Sequence, residues 1–266
     1  MPFESALYLV FAALAGLLIG SFLNVCIYRV PRDLSVVRPR SFCPECGKPV
    51  AWYDNIPLIS YAVLKGRCRD CGKSIGIRYP LVELITATFF AISIAKFGWN
   101  LNGLKWCAFQ AIMTVLFWVD LEERILPDEF TLGGSALGLG FAFFTKVPGD
   151  LGALLFPTLS VRGQSLFEAL AAAFIFTLPL AALGMIWSKV TKREVLGWGD
   201  VKLMPCIGLF LGVEVGMQTL LLGSLLGAGI GGLYIFIMKK KAREYELPLG
   251  TFFCGAAALA PLFMKF

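Results

Sequence analysis

Gly197-Trp198-Gly199-Asp200-Val201-Lys202-Leu203-Met204 opens an apolar run that continues through Leu211. The stretch puts a carboxylate, Asp200, at the mouth of a membrane helix, with a lysine two residues on. An ionisable group costs about 2.5–3.5 kcal/mol at the centre of such a helix and less toward its end, which makes Asp200 a candidate functional residue. The two glycines ahead of it let the backbone approach a neighbour closely or take a positive φ. A second carboxylate has similar surroundings: Asp120, in Leu116-Phe117-Trp118-Val119-Asp120-Leu121-Glu122-Glu123, closes another apolar run. Two aspartates, each at the end of an apolar run, point to an acid/base pair inside a membrane.

Composition agrees with that class. Of 266 residues, 58% are hydrophobic and 16% charged, the mix of an all-α polytopic membrane protein. The chain has no histidine, which excludes Ser-His and Cys-His catalysis and every His-ligated metal site. Carboxylates, cysteines and lysines are left for chemistry. Apolar runs cover residues 6–28, 81–97, 104–119, 130–145, 166–187, 201–213, 217–238 and 247–266, predicting about eight transmembrane helices. Between the first and second, Arg29 to Tyr79 forms a polar block with ten basic residues against four acidic ones. The expected organisation is a first helix over 1–28, a cytoplasmic module over 29–79 and a membrane core over 80–266. The first run is no cleavable signal peptide by its charges, because its basic residues follow it.

Orientation follows from those bases. With the 29–79 block cytoplasmic, alternation also places 121–129, 188–200 and the Lys239-Lys240-Lys241-Ala242-Arg243 run inside. These segments together hold 18 of the 24 basic residues. Asp120 then ends the third span and Asp200 begins the sixth, so both face the cytoplasm and can cooperate. A bilayer is the expected surrounding, and no nucleic-acid partner is expected. Gly208, Gly212 and Gly216 recur every four residues, as do Gly223, Gly227 and Gly231, a spacing that predicts close helix packing. Trp52, Trp99, Trp106, Trp118, Trp187 and Trp198 fall mostly near span ends, as interfacial anchors do. No long internal repeat is evident.

Cys43-Pro44-Glu45-Cys46 and Cys68-Arg69-Asp70-Cys71 are two CxxC knuckles, with Gly47 and Gly72 directly after them. Each places two thiolates on one tight turn, and two turns complete a tetrahedral four-sulfur site, so structural zinc is expected on Cys43, Cys46, Cys68 and Cys71. Disulfides are the alternative, and a reducing cytoplasmic loop argues against them. Cys26, Cys107, Cys206 and Cys254 lie within spans and read as packing residues.

The plainer account of Asp120 and Asp200 is a solvated or salt-bridged charge at each helix end, with Asp200 also suited to the positive end of its helix dipole. Their company favours chemistry: Asp120 is followed by Leu126-Pro127-Asp128, and Asp200 by Lys202. Together with Gly20-Ser21-Phe22-Leu23-Asn24-Val25-Cys26-Ile27-Tyr28-Arg29-Val30-Pro31 and the cysteine quartet, these stretches resemble the bacterial type IV prepilin peptidases, GxGD-type intramembrane aspartyl proteases. The resemblance covers nearly the whole chain. It implies that Asp120 and Asp200 cleave a short basic leader from prepilins or pseudopilins after a glycine. It also implies that the new N-terminus is then methylated with S-adenosylmethionine, at a site the sequence does not reveal. The enzyme would be a multi-pass protein of the cytoplasmic (inner) membrane. Gly197, Gly199, Lys202 and Asp128 match supporting positions of the motifs, as do Asn24 and Arg29. One departure stands in Pro248-Leu249-Gly250-Thr251, where Thr251 occupies the place expected of a second proline.

The chemistry is coherent with this. Two close carboxylates in a low-dielectric site do not readily both ionise, so one can activate water while the other, protonated, donates to the scissile carbonyl and later to the leaving amine. A basic leader can meet acids, and Glu122, Glu123, Asp128 and Glu129 lie beside Asp120, although ordinary solvated-loop charge is the plainer account of most of them. The rival from another class is an ion-coupled transporter with Asp120 and Asp200 as a proton relay, although such carboxylates usually lie at the midplane of a repeat interface. A non-enzymatic assembly factor would leave the aspartate pair unexplained.

Overall fold

The computed structural model describes residues 3–191, 197–237 and 248–264. The basic run 239–243 lies outside them. The described residues form helices, turns and loops with no strand among them, and the chain divides into two compact units, Met1–Val115 and Leu116–Phe266.

In the first unit, α1 (Phe3–Arg29) leads into the polar module, which contains the short helix α2 (Ile59–Val63) and returns through α3 (Arg78–Phe97) to α4 (Leu101–Glu123). Glycine sets the approach of α1 to α3. A Cβ at Gly16 would stand 2.6 Å from the Ala87 Cα, and one at Gly20 2.7 Å from the Glu83 Cα. Without those side chains the two backbones close on each other, the usual device between helices in lipid. Trp106 corrects the reading of the tryptophans as interfacial anchors. It is 1% exposed and packs against the rings of Phe97 and Phe109, because its position early in α4 faces inward.

The two CxxC knuckles belong to a longer structural repeat. Residues 41–50 and 66–75 adopt the same knuckle at an offset of 25 residues. In the first, the Cys43 N–H donates to the Lys48 carbonyl at 2.9 Å and the Gly47 N–H to the Cys43 carbonyl at 2.9 Å; in the second, Cys68 to Lys73 and Gly72 to Cys68 do the same at 2.8 and 2.9 Å. A bridge closes each base, Phe42 to Pro49 and Arg67 to Ser74. Gly47 and Gly72 take φ of 70° and 71°, which explains why glycine follows both CxxC pairs.

The second unit adds α5 (Asp128–Phe144), α6 (Leu151–Leu155), α7 (Val161–Thr191), α8 (Trp198–Ile237) and α9 (Leu249–Phe263) to the end of α4. Its core forms where α5, α7 and α8 meet, around Ala142, Ala169 and Leu209. By length and composition α1, α3, α4, α7 and α8 can each cross a membrane. The shorter α5 and α9 carry two more of the expected runs.

α8 carries the remaining two, as arms joined at Gly212 (φ 69°, ψ −173°). Its neighbours on α7 show the reversal. A Cβ at Gly208 would meet Ala173, one at Gly212 would meet Glu168, and one at Gly216 would meet the Phe176 ring, so the chain advances along α7 and then returns. Gly208, Gly216, Gly223 and Gly227 therefore pack helices as expected, but Gly212 does not. It turns the chain, at a φ few other residues adopt and with the Pro148 carbonyl oxygen where a Cβ would go.

A break in lipid leaves backbone N–H groups that water cannot satisfy. Glu168, 2% exposed on α7, meets this need: it accepts from the Val213 N–H just past the break at 3.0 Å and from the Gly152 N–H at the start of α6 at 3.1 Å. Unpaired buried donors cost about 1–3 kcal/mol each, so Glu168→Ala, which strands two, is expected to destabilise the protein by roughly 2–6 kcal/mol. Thermal unfolding in detergent against Glu168→Gln, which keeps an acceptor, checks this; equal losses in both variants would show that the hydrogen bonds are not the cause.

Candidate active site

Asp120 lies three residues before the end of α4 and is 6% exposed. The helix stops beyond it because Arg124 turns left-handed (φ 58°), its N–H reaching back to the Asp120 carbonyl at 3.0 Å. Leu126 and Pro127 then redirect the chain into α5, and Leu126 becomes the apolar wedge of the site. A Cβ at Gly199 would sit 3.0 Å from the Leu126 Cβ, so glycine in that position lets the start of α8 close on the wedge. Gly197 is different: a Cβ there would meet only the Asp200 carboxylate, at an ordinary 3.6 Å. Asp200 follows in the first turn of α8, half-buried.

The third contributor is the start of α9. A Cβ at Gly250 would lie 3.1 Å from the Asp120 Oδ2, 3.1 Å from the Asp200 Oδ1 and 2.9 Å from Leu126. The two carboxylate oxygens are thus no further apart than twice that 3.1 Å, on either side of a residue with no side chain. Residues 80 positions apart in sequence are brought to one point by a glycine from a third helix.

Thr251 completes the arrangement. Its N–H and hydroxyl both donate to the Asp120 Oδ2, at 2.5 and 2.7 Å, and the residue is 4% exposed. A proline there could supply neither bond, so the departure from the expected motif gives this chain a double clamp on Asp120. Hydrogen bonds to a charged group contribute about 1.5–3 kcal/mol. Thr251→Val, which removes only the hydroxyl, is expected to lower turnover about tenfold or more on a 1.36 kcal/mol-per-decade scale, whereas Thr251→Ser retains it. Steady-state kinetics at matched expression decide the point, and unchanged turnover in the valine variant would exclude the clamp.

Lys202 donates to both oxygens of Asp128, at 2.8 and 2.9 Å, tying the start of α8 to the start of α5. Asp128 is therefore engaged within the protein. The pair is solvent-exposed, so its contribution to stability is small, about 0–1 kcal/mol.

In the first unit the four expected metal-ligating sulfurs come together. Cys43, Cys46, Cys68 and Cys71 have their Sγ atoms within 4.8 Å of one another, with Cys43 and Cys71 3.9 Å apart. Disulfide sulfurs are about 2.05 Å apart, whereas zinc–sulfur bonds of about 2.3 Å in a tetrahedron separate sulfurs by about 3.8 Å. Arg69 grips Asp54 through two bonds of 2.7 Å and holds its carboxyl below the ordinary carboxylate range.

Asn24 and Arg29 support this module. Arg29, 3% exposed, donates to the carbonyls of Ser35 and Pro39 at 2.8 Å and of Arg40 at 3.1 Å, fixing the strap that leads to the first knuckle. Asn24 donates to the Tyr79 carbonyl at 3.0 Å, closing the module's other end on α1. Cys26, Cys107, Cys206 and Cys254 are buried, as packing residues should be.

Residues 14–97 match the bacterial peptidase A24 N-terminal domain and residues 107–232 the type IV leader peptidase family. The chain is 39% identical over 241 residues to a prepilin leader peptidase/N-methyltransferase of Myxococcus xanthus, covering 90% of this chain and 67% of that protein. Proteins of the same description match from Klebsiella pneumoniae (36% identical; 80% of this chain, 90% of that one) and Pseudomonas putida (30% identical; 98% and 93%). No solved structure gives a significant match.

Proposed function

The chain belongs to the type IV leader peptidase family and is a multi-pass membrane enzyme of prepilin processing and N-methylation; on that premise we propose that Asp120 and Asp200 are its hydrolytic pair. The observation that carries the reading is their convergence on Gly250, where both carboxylates reach one point beside a buried wedge. A water held there gives a proton to the ionised carboxylate as its oxygen attacks the carbonyl carbon of the leader's glycine, while the protonated carboxyl donates to the carbonyl oxygen. On collapse the carboxyl that took the water's proton passes it to the leaving amine and the diol returns the other proton, which restores the pair. Thr251 orients Asp120, and the Lys202–Asp128 pair holds the helix that carries Asp200.

Gly197 and Gly199 let the α8 start sit beside the wedge. The substrates are prepilins or pseudopilins presented from the cytoplasmic side of the inner membrane, an orientation that the excess of basic residues in the module and adjoining loops supports. Nothing supports the transporter reading. The functional division is a first helix over 1–28, a module over 29–79 and a peptidase core over 80–266.

The module binds one structural zinc through Cys43, Cys46, Cys68 and Cys71, a reading supported by the sulfur spacing. Four thiolates leave a zinc no open position, so it shapes the loop and takes no part in peptide cleavage. S-Adenosylmethionine supplies an electrophilic methyl group for the second reaction. The test of the whole reading is incubation of membranes carrying the protein with a prepilin. Leader loss on a gel and a 14-dalton gain on the new N-terminal peptide by mass spectrometry are expected (roughly one CH₂ per methylation). An uncleaved prepilin at full expression would overturn the peptidase.

A further inference from the structure

Two of the helices that close on the aspartate pair bring glycine to it, Gly199 at the start of α8 and Gly250 at the start of α9. Side chains at both positions would meet one residue, Leu126, which enters from the turn between α4 and α5. A Cβ at Gly199 would stand 3.0, 3.5 and 3.6 Å from the Leu126 Cβ, Cδ1 and Cγ, and one at Gly250 2.9 Å from its Cδ1. The Leu126 side chain therefore fills the space that two missing side chains leave, and it is only 9% exposed.

That space borders the reacting atoms. The point 2.9 Å from the Leu126 Cδ1 is also 3.1 Å from one oxygen of each aspartate. A branched apolar side chain thus stands beside the two groups that must reach one peptide carbonyl. Asp120 is 6% exposed and Asp200 half-buried, so the peptide comes in on the Asp200 side, where Leu126 lies against Gly199. The wedge is also fixed from behind. Pro127 has φ −61°, and its carbonyl accepts from the Phe130 and Thr131 N–H groups at 3.2 and 3.1 Å, so Leu126 moves only if the start of α5 does.

We propose that Leu126 is a specificity-determining residue: it packs on the Cα of the leader's last residue and bars a Cβ there, so that glycine is selected. A Cβ on that residue lies two bonds from the attacked carbonyl carbon, about 2.5 Å away, and is carried into the space that Leu126 occupies. Glycine brings nothing into it. The proposal rests on the reading of Asp120 and Asp200 as the hydrolytic pair and deepens it by naming the wall that does the selecting. Selection by such a wall is steric, and one methylene in an apolar pocket changes kcat/KM by about 10–200-fold.

The test is a competition. Membranes carrying the full chain receive equal amounts of two prepilins, one with glycine and one with alanine before the scissile bond. The ratio of initial cleavage rates, read by mass spectrometry, compares kcat/KM within one preparation, so a misfolded fraction cancels. Leu126→Ala is expected to move the ratio toward the alanine prepilin by about tenfold or more, and Leu126→Val to move it less in the same direction. Ile125→Ala, which trims the 45% exposed neighbour, is expected to leave it unchanged. A ratio unmoved in Leu126→Ala, or moved as far by Ile125→Ala, overturns the proposal. Should Leu126→Ala cleave neither prepilin, Leu126→Val decides alone, and no shift there overturns it. Asp120→Asn separates the two levels. If it no longer cleaves the glycine prepilin while the Leu126 ratios stay unmoved, the wedge falls and the pair stands. If it cleaves as fast as the unaltered chain, the pair falls and the wedge with it.

Discussion

Asp120→Asn and Asp200→Asn are each expected to abolish leader removal while leaving insertion and folding intact. Asparagine keeps the shape of the side chain and can still accept from Thr251, so the loss would be chemical. Removing a general acid or base costs about 10²–10⁴-fold, and members of a unit that acts together cost nearly as much singly as jointly. The double variant should accordingly be little worse than either single one. Asp128→Asn serves as the contrast. It weakens an exposed ion pair with Lys202 and should keep at least part of the activity. Gel-shift processing of a prepilin at equal expression measures all four. Near-normal cleavage by either single aspartate variant would sink the dyad.

What the sequence disclosed and what it hid divide along a physical line. A charge in an apolar run is costly wherever the chain goes, so Asp120 and Asp200 stood out before any fold was known. The cysteines were equally legible because metal ligation is a local matter of spacing on a turn. Residues whose meaning depends on a distant backbone were not. Thr251 reads as a small polar residue in an apolar run until the chain brings it to Asp120, 131 positions away. Glu168 falls inside the apolar run 166–187 and is costly there by the same rule, but nothing local names its partners, the amides of Val213 and Gly152. Gly212 shares a four-residue spacing with Gly208 and Gly216, so periodicity assigned it to packing, and only its φ reveals the turn. The extent of the knuckle repeat is hidden for another reason: its two copies share little beyond Cys-x-x-Cys-Gly-Lys, and the likeness over ten residues lies in their hydrogen bonds.

Serine replacement of the cysteine quartet is expected to separate the two activities. Removing the thiolates abolishes metal binding, so metal analysis of the purified protein should fall from about one zinc per chain to none. Because binding free energy in such modules is largely folding free energy, about 10–16 kcal/mol for structural zinc peptides, the knuckles should lose their shape with the metal. The consequences differ by unit. Cys43 and Cys68 line a cavity of the first unit, which should lose its shape with the metal, and methylation should fall by an order of magnitude or more. Asp120, Asp200, Gly250 and Thr251 belong to the second unit, which has its own core where α5, α7 and α8 meet. Hydrolysis should therefore decline less, through poorer handling of the prepilin and not through loss of the catalytic groups. The measurement is paired, with leader removal and N-terminal methylation scored by mass spectrometry on the same samples over a range of prepilin concentrations. A rise in KM for cleavage with kcat largely kept, beside a collapse of methylation, is the expected pattern. Cysteine variants that insert normally yet lose cleavage as completely as Asp200→Asn would make the module integral to the protease, and the division of labour would be wrong.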